Sequence, residues 1–135
     1  MMSGYDLAYV ALAVRDMEAA SAVLTEDLGL IRLALGGHDR VVPAFGVGKT
    51  ALALFEVGDP FLTQERAGVD HIAFTADDPG AAAMNCGFAS TMTSGAGLDN
   101  AEQVVIERHA TQGLATRFTS PLGLSGPVTR HIERI

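Results

Sequence analysis

The sequence predicts an α+β fold built from two copies of one small βαβββ unit, and three observations carry that prediction. Tyr9–Ala20 repeats as His71–Ala82: Val10 matches Ile72, Ala11 matches Ala73, Leu12 matches Phe74, Asp16 matches Asp78, and Ala19–Ala20 matches Ala81–Ala82. Each copy starts with side chains alternating at the two-residue period of a strand and then passes through an aspartate into an alanine-rich run. Behind each run lie strand-like segments separated by turn residues. An internal repeat of this length makes a fold of two similar modules the simplest reading.

The elements follow in order. Val10, Leu12 and Val14 share one side of the first strand, as Ile72, Phe74 and Ala76 do in the second copy. Asp16 and Asp78 suit N-caps, because a carboxylate accepts from the free amides of a first helical turn. Met17 to Leu28 carries Ala20, Val23, Leu24 and Leu28 at helical spacing, and Gly29 stops it. Pro79 fits the first position of the second helix, which Asn85 and Gly87 end early. The spacing predicts strands over Leu30–Leu35, Val41–Val47 and Thr50–Val57 in the first module. In the second it predicts Gln103–His109, Leu114–Ser120 and Pro127–Ile132. Ser90 to Asn100, rich in Ser, Thr, Gly and Asn, is predicted as a loop. The charged segment Gly58 to Gly68, with its Asp59–Pro60, is predicted to link the modules, about 5–58 and about 68–133, of a single domain over 1–135.

The chain has 135 residues, 48% of them hydrophobic and 19% charged, a balance suited to a folded core rather than a disordered chain. No apolar run reaches the roughly 20 residues of a membrane span. The first residues lack the basic and apolar regions of a secretory leader. The single cysteine, Cys86, cannot form an internal disulfide; it is expected to be a small buried apolar residue, and the expected location is cytoplasmic. A net charge of −7 disfavours nucleic acid and permits a cationic ligand. No motif for a nucleophilic serine elbow, a phosphate loop or a dinucleotide fold is present; Gly46–Thr50 lacks the required first glycine and precedes a strand.

The phrases Tyr9–Asp16, Asp27–Leu30, Val47–Glu56 and Gly68–Phe74 resemble the vicinal oxygen chelate superfamily, which includes glyoxalases, bleomycin-resistance proteins and dioxygenases. The resemblance is good over residues 5 to 82 and loose beyond. It implies a cupped mixed sheet formed by the two modules, with the helices on the outer face. In the metal-dependent members it also implies ligands on the first, fourth, fifth and eighth strands. Those positions fall on Tyr9, Ala53, His71 and, for the eighth strand, near Pro127–Val128; Pro121 to Arg130 contains no Asp, Glu, His or Gln. One imidazole cannot hold a divalent ion that needs about three protein ligands. No metal ligand set and no cofactor are therefore expected, with a divalent metal left open.

Alternation then lines the cup. With His71 facing it, so do Ala73 and Thr75, and by the repeat Tyr9, Ala11 and Ala13; the fourth strand adds Ala51, Ala53 and Phe55. A face of alanines leaves room for a ligand, unless Phe55, Phe45 and Phe118 or a partner subunit fill it. His71 is the candidate catalytic residue, able to act near neutral pH; it could instead simply bond Tyr9 across the seam. The candidate ligand-binding set is Tyr9, Ala53, Phe55, His71, Thr75, His109 and Arg117. Arg117 suits a carboxylate or phosphate, though with Glu107, Arg108 and His109 it could belong to a solvated hairpin. Glu56 is expected to be a surface charge at a strand end.

Three functions are open at this point. The first is a bleomycin-resistance-like protein that binds a small molecule in its cup without metal, as a homodimer or with a second module pair. The second is a glyoxalase- or methylmalonyl-CoA-epimerase-like lyase or isomerase using His71. The third is the degenerate N-terminal half of a larger dioxygenase-like protein. Neither nucleic acid nor membrane is an expected partner.

Overall fold

The alternating segments of the two repeats become β1 (Asp6–Val14) and β5 (Gly68–Thr75), paired antiparallel at the middle of one sheet. The computed structural model describes residues 6–35, 42–88, 92–98, 101–122 and 132–133. The first module continues through α1, whose α-helical turns Met17–Ala22 run into a π-helical stretch Val23–Asp27. It then forms β2 (Ile31–Leu35), β3 (Val42–Val47) and β4 (Thr50–Glu56). The second continues through α2 (Pro79–Asn85), β6 (Met92–Ala96), β7 (Glu102–Ile106) and β8 (Thr116–Thr119). The sheet order is β6-β7-β8-β5-β1-β4-β3-β2, with a short β9 (Ile132–Glu133) added beside β2. β4 lies parallel to β1 and β8 parallel to β5, so the two halves are related about the β1–β5 seam.

The helix caps are those the repeat predicts. Asp16 accepts from the Ala19 amide at 3.0 Å and Asp78 from the Ala81 amide at 3.0 Å, each contributing about 1 kcal/mol. Gly29 adopts φ +70, where any other residue would be strained. On the outer face α2 packs Ala82 and Ala83 against a cluster with Val104, Ile106 and Phe118. The inner face carries the cluster of Tyr9, Ala11, Ala51, Ala53, Phe55 and Ala73. The split into two faces is the alternation of Ile72 and Phe74 against His71 and Ala73, as expected. No helix among the described residues is long and apolar enough to cross a membrane.

The second module departs from expectation in strand order. The predicted loop over Ser90–Asn100 contains an edge strand, β6, paired with β7 from Met92↔Ile106 to Ala96↔Glu102. Its Gly and Ala residues disfavour a strand locally, but pairing with β7 satisfies its backbone, and an edge tolerates polar side chains. The segments predicted as sixth and seventh strands are therefore the seventh and eighth. β7 ends at Ile106, so His109 stands not on a strand but in the 3₁₀ turn Arg108–Thr111. Most of the predicted Pro127–Ile132 strand lies outside the described residues. Ile132 itself pairs with Leu33 of β2, on the edge of the first module rather than in the second. Cys86, expected to be buried, is exposed at the end of α2.

Candidate functional site in the cup

The site is made at the seam by two β-bulges. In the β1–β5 ladder Tyr9 pairs with Ala73 and Leu7 with Phe74, leaving Ala8 as the extra residue. At the other end Ala11 pairs with His71 and Leu12 with Val69, leaving Asp70 extra. A bulge turns consecutive side chains toward the same side. Asp70 and His71 are both buried as a result, at 4% and 1% exposure, where simple alternation would have sent Asp70 to the opposite face.

These backbones set up a hydrogen-bonded chain through the inside of the cup. Asp70 Oδ2 lies 2.8 Å from His71 Nδ1, and His71 Nε2 lies 3.0 Å from the Tyr9 hydroxyl. Gln103 Nε2 donates to the same hydroxyl at 3.0 Å, and Arg117 Nη1 donates to Gln103 Oε1 at 3.0 Å. Only one set of proton positions satisfies every member. Asp70 as a carboxylate accepts from His71 Nδ1–H, His71 Nε2 accepts from Tyr9 O–H, and Tyr9 accepts from Gln103. The chain thus runs from a guanidinium donor to a carboxylate acceptor with each link pointing the same way.

Burial shapes the protonation of each member. It pushes His71 down to about 4; the positive charge of Arg117 adds to this, and the bond to Asp70 opposes it. The imidazole is neutral near pH 7, as the chain requires. Burial raises the Tyr9 hydroxyl to about 12 against the pull of Arg117 and the bond from Gln103. For Asp70, burial acts upward, but the bonds from His71 and the Thr63 and Gln64 amides outweigh it and hold the carboxyl below its usual range. Burial also lowers the Arg117 guanidinium, opposed by Tyr9 and Asp70, from a starting point so high that it stays charged.

The linker is part of the site. Asp70 accepts from the Thr63 amide at 2.9 Å, the Gln64 amide at 3.1 Å and the Thr63 hydroxyl at 3.2 Å. Arg108 Nη2 donates to the same Thr63 hydroxyl at 2.9 Å. So anchored, the linker turns Phe61 into the cup. Its ring stacks on Phe55 with centroids 5.0 Å apart, lies 5.5 Å from the His71 ring, and faces the Arg117 guanidinium at 4.5 Å. Its carbonyl accepts from Arg117 Nη2 at 2.7 Å. The aromatic filling of the cup is therefore Phe55 with Phe61. Phe118 belongs to the cluster on the helix side, and Phe45 pairs with Leu52, out of register with the inward alanines.

The predicted residues divide as follows. Tyr9, Phe55, His71 and Arg117 come together, and Ala53 lies buried on the same face. Thr75 is at the other end of β5, in a separate open cleft of about 840 Å³ with Asp6, Lys49 and Asp77. His109 is on the surface, 3.2 Å from Glu107, its side chain 71% exposed. Glu56 is exposed, as predicted. Sequence reading missed Asp70, Gln103 and Phe61; the apolar Phe61–Leu62 pair inside an otherwise charged linker was the one signal available.

The corrected strand order moves one expectation. The eighth strand is Thr116–Thr119, so the fourth metal position implied by the resemblance is not near Pro127–Val128. Ala11 pairs with Ala53 on β4, and its repeat counterpart Ala73 pairs with Arg117 on β8. The equivalent positions are Tyr9, Ala53, His71 and Arg117. A guanidinium cannot ligate a cation, alanine offers no donor, and both His71 nitrogens are engaged. These residues do not fit a divalent metal, and no group of three metal-binding side chains occurs among the described residues.

No protein-family model matches the sequence, and no curated protein matches it. Solved structures do share the fold. A hypothetical protein from Bacillus halodurans superposes with a TM-score of 0.73 at 15% identity, over 87% of this chain and 95% of that one. A methylmalonyl-CoA epimerase in complex with methylmalonyl-CoA and NH4+ gives 0.71 at 15% identity, over 93% and 100%. The methylmalonyl-CoA epimerase of Mycobacterium tuberculosis gives 0.66 at 18%, over 90% and 93%. The chain shares the fold of these solved structures, an α+β fold with a mixed sheet consistent with the βαβββ glyoxalase-like arrangement.

Proposed function

We propose that this chain binds a small molecule in its cup without a divalent metal, in the manner of the bleomycin-resistance proteins, as a homodimer or beside a second module pair. One observation carries the reading: Arg117 stands at the position symmetric to Ala53, where the metal-dependent members place a ligand. The cup's fixed positive charge is then a side chain, held in place by the buried Gln103–Tyr9–His71 chain. Metal analysis with calorimetry tests this. Protein purified with and without chelator is expected to hold no stoichiometric divalent ion and to bind ligand equally well. A bound divalent ion at one per chain, needed for binding, overturns the reading.

The second reading is an epimerase-like enzyme with His71 as base. The orientation of the imidazole by Asp70 supports it, since a carboxylate on Nδ1 aims Nε2 at a proton. Against it, Nε2 already faces the Tyr9 hydroxyl and both side chains are buried at 1% and 0% exposure. Proton exchange at the α-carbon of an acyl-thioester substrate, lost in His71→Ala, would decide for the enzyme.

A further inference from the structure

We infer that the cavity beside Arg117 is a binding site for a monocarboxylate with a ring-sized apolar body, an inference that rests on the metal-free reading above. The cavity measures about 170 Å³ and is walled by Arg117 and Gln103 with Phe61, Val105, Pro60 and the β6 residues Thr93–Gly95. A cavity of roughly 150 Å³ takes a benzene ring. Phe61 and Val105 supply apolar walls.

The chemistry comes from Arg117. It is only 6% exposed, and its two terminal nitrogens bond neutral acceptors, the Gln103 amide oxygen and the Phe61 carbonyl. Its buried Nε has no partner, and among the described residues no carboxylate forms an ion pair with it. A buried cation with no ion-pair partner is costly until an anion lies beside it, and a guanidinium matches a planar carboxylate best. Asp70, bonded to His71, acts on Arg117 only at a distance. A single guanidinium neutralises a single charge, and the net charge of −7 opposes a multiply charged ligand, which favours a carboxylate over a phosphate.

The test titrates the full chain with benzoate, with its neutral analogue benzamide, and with inorganic phosphate, followed by amide chemical shifts and calorimetry. Benzoate is expected to bind in the millimolar range or tighter, shifting the Gln103, Val105 and Arg117 signals. Benzamide is expected to bind at least about tenfold more weakly, the value of one charge-assisted bond. Phosphate is expected to leave those signals unmoved. Arg117→Gln is expected to erase the preference for benzoate over benzamide; because the comparison is made first in the unaltered chain, a variant that fails to fold does not blunt it. Equal binding of the two analogues, no benzoate binding, or phosphate displacing benzoate overturns the inference. Metal content is measured separately, so failure of the metal-free reading and failure of the carboxylate site are told apart.

Discussion

The two bulges at the β1–β5 seam have matching backbones and opposite chemistry. In the first module the bulged pair is Ala8–Tyr9; in the second it is Asp70–His71. The same contrast continues outward, where Ala53 on β4 answers Arg117 on β8. The first module supplies space and one phenol, and the second supplies both charges, the imidazole and the amide. Backbone symmetry therefore brings Tyr9 and His71 face to face without requiring the two halves to share a function. A buried chain of this kind needs a donor at one end and an acceptor at the other, which an exact repeat could not provide.

The comparison is broken most severely at Asp70. Asp70→Ala makes the second bulge resemble the first and strands the Thr63 and Gln64 amides, the Thr63 hydroxyl and His71 Nδ1. Urea unfolding is expected to show a loss of about 3–5 kcal/mol. A loss under about 1 kcal/mol would mean that the linker, not the carboxylate, holds itself in place.

Acid probes the same asymmetry, because His71 titrates where Tyr9 does not. The folded His71 value of about 4 lies below the ordinary 6.5, so the unfolded chain takes up the proton first as pH falls. Stability is expected to be full above about 6.5 and to decline toward 4, by up to about 3 kcal/mol. Asp70, held below its ordinary 3.8, adds a further loss below that pH. Thermal midpoints across the range check this, and in His71→Gln the decline between 6.5 and 4 should flatten.

Tyr9→Phe removes the hydroxyl where the modules meet, leaving His71 Nε2 without its donor and Gln103 without its acceptor. A cost of about 1–3 kcal/mol is expected, with the ring packing retained. Loss of the O–H that His71 Nε2 accepts from removes a bond to the neutral imidazole and should move the His71 titration upward, readable in the imidazole NMR shifts. The smallest effect is expected at Gly97, where an added Cβ would meet the Gln103 amide nitrogen at 2.5 Å. Gly97→Ala should displace Gln103 at a cost of about 1–2 kcal/mol and weaken its bonds to Tyr9 and Arg117. An unchanged Gln103 side-chain resonance would show that the loop moves instead.

Much of the fold was legible because the repeat wrote it twice. Strand alternation at Val10–Val14 and Ile72–Ala76, the Asp16 and Asp78 caps and the Gly29 stop are local signals, and each appears where expected. The site was less legible. Tyr9 and His71 could be paired through the repeat, but Asp70 could not, because alternation sends a neighbour of His71 to the other face and only a bulge brings it back. The Met92–Ala96 strand was hidden for a related reason: its polar residues have no strand signature of their own, and its partner β7 supplies the order. That one missed strand displaced the count and put the eighth-strand position at Pro127 instead of Arg117.

The modules, their caps and the inward face of alanines depend on residues a few positions apart and so can be read along the chain. Tertiary structure decided what that face does. It brought Gln103 and Arg117 from the hairpin, Phe61 from the linker and Asp70 from a bulge to the one point where Tyr9 meets His71. Those contacts join residues up to 94 positions apart. They depend on ladder register and burial, which no local pattern encodes.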